Sequence, residues 1–173
     1  MSLRTLLLLV VSLTLLLPDA WGGEGKGSPH PNGMNPPVPD EVMGRCNTIA
    51  AIVAVYPAFE VQTKKGRIRD LQGIRELSGC RVTATGPASG IAGEIDPAEA
   101  IRIQFQGDRW VEDIRYAADG PGTTSFVFRR NGVWCRTNGG AHSWIEDGKI
   151  FASERYELEM ECVSDPDGTA PGQ

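Results

Sequence analysis

The apolar residues of this chain change their spacing as it proceeds, and each change marks a different kind of structure. Over residues 6–17 they are nearly continuous, relieved only by Ser12 and Thr14. Over residues 40–56 they open out: Val42, Met43, Cys46, Ile49, Ala50 and Val53 recur at steps of three and four, the spacing of one helix face. Asp40 is placed to cap that helix and Pro57 to stop it. The β-branched run at 49–55 would also suit a strand, but the three-and-four spacing decides for a helix.

Residues 64–73 are polar on both registers and read as a connection, or a weak edge hairpin around Lys65-Gly66. Residues 77–85 alternate as a strand does. Cys80, Val82 and Ala84 share one face, and Arg81, Thr83 and Thr85 the other. Residues 86–93 form a loop. Asp96-Pro97-Ala98-Glu99 is a helix start in which each residue has a reason: a capping carboxylate, a preset φ and an acidic third position. Ala98, Ile101, Arg102 and Phe105 then lie along one side, and Gly107 can end the helix. The alternation of residues 101–106 also suits a strand, and the start signal outweighs it.

From residue 109 the period is two. Trp110, Ile114 and Tyr116 alternate with Val111, Asp113 and Arg115, and residues 119–122 turn the chain. A strand over 124–130 meets Asn131-Gly132, a strong hairpin signal, and returns over 133–137. Residues 138–154 read as a long polar loop. The final strand sets Tyr156, Leu158, Met160 and Cys162 against Glu157, Glu159 and Glu161. These elements predict an α+β fold: about four antiparallel strands, two helices packed on one face, and the other face in water.

Cys46, Cys80, Cys135 and Cys162 are an even, widely spaced set without a C-x-x-C pair. They read as two disulfides and not as a zinc or redox site. Four cysteines allow three pairings. Because Cys80, Cys135 and Cys162 point to the covered face, the preferred pairs are Cys46 with Cys80 and Cys135 with Cys162. Each would close a loop of about 30 residues and contribute roughly 3 to 4 kcal/mol by chain entropy.

The continuous run at 6–17 follows Arg4, ends at Pro18, and leads to Ala20-Trp21-Gly22, the tripartite pattern of a cleavable export signal. It is shorter than the roughly 20 residues that cross a bilayer. The expected organisation is a signal peptide at 1–22, a Gly/Pro-rich leader at 23–39, one domain at 40–163 and a tail at 164–173. The domain is expected to act in the periplasm or outside the cell, with no membrane insertion after cleavage. The net charge of −5 disfavours nucleic-acid partners, which demand a basic stripe.

Candidate chemistry is sparse. His30 lies in the leader; His142, beside Ser143, is the one histidine in the domain, and adjacent loop residues do not make a catalytic triad. No P-loop, G-x-S-x-G, H-E-x-x-H or calcium-loop spacing occurs, so no cofactor or metal is expected. Glu157, Glu159 and Glu161 are expected to lie in solvent, neutralised by Arg115, Arg129 and Arg136 on neighbouring strands. Trp134 and Trp144, with Arg129, Arg136 and His142, form the candidate interaction surface, because Trp and Arg dominate interface energetics. The expected function is a non-enzymatic protein-interaction domain of unknown partner. A small enzyme using His142, and a secreted inhibitor or small-ligand carrier, are the alternatives.

Overall fold

The three-and-four spacing builds a helix where expected: α1 spans Asp40–Val53 and buries Val42, Cys46, Ile49 and Val53. Pro39, not Asp40, holds the cap position and makes no side-chain hydrogen bond there. Asp40 stands instead in the first turn, where its charge suits the helix dipole. The second helix, α2 (Pro97–Gly107), starts as its residues dictate, with the Asp96 carboxylate accepting the Ala98 N–H. That carboxylate also accepts the Tyr156 hydroxyl at 2.8 Å, tying the helix start to the last strand. Burial, then this bond to Asp96, push the Tyr156 hydroxyl well above the usual phenol range.

The computed structural model describes residues 37–166, apart from Ala92, Pro121 and the side chain of Ile150. The expected signal peptide, nearly all of the leader and residues 167–173 of the tail lie outside the described residues. The strands, in chain order, are β1 (Glu60–Arg69), β2 (Glu76–Pro87), β3 (Val111–Glu112), β4 (Ala118–Gly120), β5 (Thr123–Arg130), β6 (Val133–Gly140), β7 (Ser143–Glu146), β8 (Lys149–Ala152) and β9 (Arg155–Ser164). The main sheet has seven strands, not four, in the order β1-β2-β9-β6-β5-β3, with β4 also paired to β5. Every pairing in it is antiparallel. The strands β7 and β8 form a separate two-stranded ribbon.

The added strands arise where alternation carries no signal. Over β1 the chain is exposed on both faces for most of its length, so no apolar side chains mark the period. Backbone pairing with β2, Lys65 opposite Cys80, holds it instead. Residues 138–154 are not a loop: β6 continues to Gly140 and the ribbon follows. After β3 the chain leaves the sheet in a single 3-10 turn, Ile114–Tyr116, so Arg115 is not a strand position.

One face of the sheet carries the core. Cys80, Val82 and Ala84 of β2, Tyr156, Leu158, Met160 and Cys162 of β9, and Phe126 and Phe128 of β5 pack beneath α1 and α2. Phe105 of α2 stacks on Phe128 at 5.2 Å and meets Trp110 edge-on at 4.8 Å. The disulfides are Cys46–Cys80, from α1 to β2, and Cys135–Cys162, between directly opposed residues of β6 and β9. No helix among the described residues is long and apolar enough to cross a membrane.

Candidate functional site

The other face is built from the alternate residues of the same strands, and it divides into a sealed corner, a charged centre and an open end. At the corner, Trp134 of β6 joins Val127, Val163 and Ile68 in a second apolar cluster, flanked by Leu71, Leu77 and Tyr116. Trp134 is therefore only 2% exposed. This corrects the expectation that it stands on an open face: the face is right, but the β1–β2 corner folds over it. Gly79 permits the fold, because a Cβ there would collide with the Cys162 carbonyl and lie 2.8 Å from Ile68 Cδ1. Outside the apolar cluster, Asp70 accepts the Ile74 N–H at 2.8 Å and Arg75 Nε at 3.1 Å. Arg75 also donates to Asp165 at 2.9 Å, closing the corner.

At the centre, Glu161 sits opposite both Arg81 and Arg136. It accepts from Arg81 Nε at 3.0 Å and also bonds the Arg136 guanidinium. It is 2% exposed, so the solvated acidic row is corrected: the third glutamate is buried between two arginines. Arg129 and Arg115 do not neutralise the glutamates either. Both grip Asp113, at 2.9 and 2.6 Å. Hydrogen bonds from Arg115 above all, then from Arg129, hold the Asp113 carboxyl below the usual range, against the opposing effect of burial.

At the open end, Glu157 and Glu159 face a concavity of about 610 Å³ whose rim includes Asp119, Asn138, Thr85 and His142. His142 is exposed, and among the described residues its ring makes no ion pair with a carboxylate. Its carbonyl accepts the Ser153 N–H at 2.7 Å, fixing the base of the ribbon. Among the described residues no group of three or more His, Cys, Asp or Glu could hold a metal ion.

The ribbon leaves from this end. Asp147 and Gly148 turn it with φ of 49° and 73°, the conformation of a two-residue hairpin loop. Trp144 lies opposite Phe151, and Ile145 opposite Ile150. The Trp144 and Phe151 rings stack at 5.7 Å with 17° between planes, and remain 49% and 40% exposed. On the other side of the ribbon Ile145 is 73% exposed. Sequence reasoning selected Trp144 but missed its setting. The signal was present: Asp147-Gly148 stands between Trp144-Ile145 and Ile150-Phe151.

The candidate surface thus separates into two places. Arg129 and Trp134 face one another at the hairpin end of β5 and β6, whereas His142 and Trp144 follow the far end of β6. Arg136, between them, is engaged by Glu161. Comparison with protein-family models, with curated proteins and with solved structures finds no match to this chain.

Proposed function

We propose that this is a secreted or periplasmic, non-enzymatic protein-interaction domain whose contact element is the β7–β8 ribbon. The observation that carries the reading is the exposed Trp144–Phe151 stack. A two-stranded ribbon is marginal on its own in water. This one holds large apolar side chains on both faces, and covering them would release roughly 25 cal/mol per Å² buried. Exposed apolar surface rimmed by charge, here Glu146, Asp147 and Lys149, marks protein contact sites.

The test is a photo-cross-linking amino acid placed at Ile145 in the ribbon and, as control, at the equally exposed Ile74. The ribbon position should capture a partner that the control does not, and Trp144→Ala with Phe151→Ala should abolish the adduct. Identical adducts from both positions, or an adduct indifferent to the two rings, would refute it.

One observation favours a second reading, a small enzyme: His142 rims the same concavity as Glu157, Glu159 and Asp119. Against it stands the absence, among the described residues, of an oriented partner for the imidazole, which general base catalysis requires. A hydrolytic or transfer activity lost in His142→Ala, with the fold intact, would decide for this reading.

A further inference from the structure

We propose that the groove beside β3 binds an acidic peptide segment of a partner protein, with apolar residues flanking its carboxylates. The groove has a volume of about 880 Å³ and lies between the 3-10 turn at 114–116 and the β5–β6 turn. Its own carboxylates are already engaged: Asp113 by Arg115 and Arg129, Glu112 by Arg102, and Asp165 by Arg75. Its arginines are in excess. Arg109 and Arg130 line the groove, and among the described residues neither has a carboxylate partner. Arg130 donates only to the Asp108 carbonyl, at 2.6 Å.

Trp134 forms part of the groove wall, so its indole reports on what occupies the groove. Arg109 itself follows the cap of α2 with φ 62°, the left-handed close of a helix, in which the Trp110 N–H donates to the Phe105 carbonyl.

The chemistry that fits unpaired guanidiniums beside apolar surface is a carboxylate next to an apolar side chain. Val111 and Ile114 remain 70% and 81% exposed at the groove, so it is open along its length. An enclosed cavity would suit a small molecule, whereas an open one suits an extended chain. The whole protein carries −5 and repels an acidic partner at long range. The groove lies at the end of β6 away from the ribbon and holds or fails independently of it.

The test uses the full chain and a fluorescein-labelled peptide, Gly-Ser-Leu-Glu-Val-Glu-Leu-Ser-Gly, followed by anisotropy. Binding should weaken at least about tenfold when both glutamates of the peptide become Gln, and by a similar factor in Arg109→Gln/Arg130→Gln. Arg109→Gln alone serves if loss of the Arg130 bond disturbs folding. The Trp134 indole resonance should shift on titration. Lys64→Gln/Lys65→Gln, in the basic edge strand β1, should leave binding unchanged. Equal affinity for the two peptides, an equal loss in the β1 variant, or no binding at about 1 mM peptide would overturn the proposal. Tighter binding of octanoate than of the peptide would overturn it too, by assigning the groove to a small molecule.

Discussion

The two faces of the main sheet are made from alternate residues of the same strands, yet they are closed by different means. The cysteine face is covered from outside, by α1 and α2, and is apolar apart from the buried Thr137 and the Tyr156 hydroxyl. The opposite face is covered at one corner only, by the sheet's own edge folding over Trp134. Its centre is neutralised by an arginine–glutamate–arginine ladder, and its far end stays open. Alternation assigns a residue to a face. What covers that face is decided elsewhere in the chain, and that is where exposure and function are set.

The contrast can be broken or sharpened by mutation, beginning where most energy is stored. Phe128→Ala, on the helix-covered face, should cost about 3 to 5 kcal/mol in urea unfolding, since the cavity left by a fully buried ring cannot collapse. Removing one crosslink from that face, with Cys135→Ala and Cys162→Ala, should cost about 3 to 4 kcal/mol and leave Cys46–Cys80 intact by mass spectrometry. On the opposite face, Glu161→Gln should cost about 2 kcal/mol. This is less than a wholly buried pair would lose, because the Arg81 and Arg136 side chains are 45% and 34% exposed.

Acid should act more gently still. Asp113 titrates below its unfolded value, so its stabilisation is full above that value, about pH 4, and is lost as pH falls through its lower folded value. The urea midpoint of the wild type should fall over that window more steeply than that of Asp113→Asn. The smallest effect is expected at the ribbon: Trp144→Ala with Phe151→Ala should change stability by less than about 1 kcal/mol. A larger loss would mean that the stack belongs to the core and not to a contact surface.

Much of this architecture is legible in the residues. The helix start at Asp96, the turn at Asn131-Gly132 and the face shared by Cys80, Val82 and Ala84 follow from local chemistry, whereas the choice among three disulfide pairings rests on which strands lie side by side. The failures have a common cause. The exposed edge β1 has no apolar period to read, because backbone pairing alone specifies it. Glu161 looks like its neighbours Glu157 and Glu159 in sequence. It differs from them because an arginine stands directly opposite it on both neighbouring strands, Arg81 of β2 and Arg136 of β6. Of the candidate site, Trp144 was found by type and Trp134 was misjudged in exposure. The Arg109 and Arg130 groove was invisible, since its character depends on which arginines are left unpaired.

The place of β9 also bears on how the protein is made. It follows every other strand in the chain, yet lies between β2 and β6, setting residue 162 directly across the ladder from residue 80. Until the ribosome has delivered β9, the β1–β2 and β5–β6 hairpins are two halves with no seam between them. A sheet arranged this way can close only after almost the whole domain has emerged, so its folding rests on contacts between distant parts of the chain.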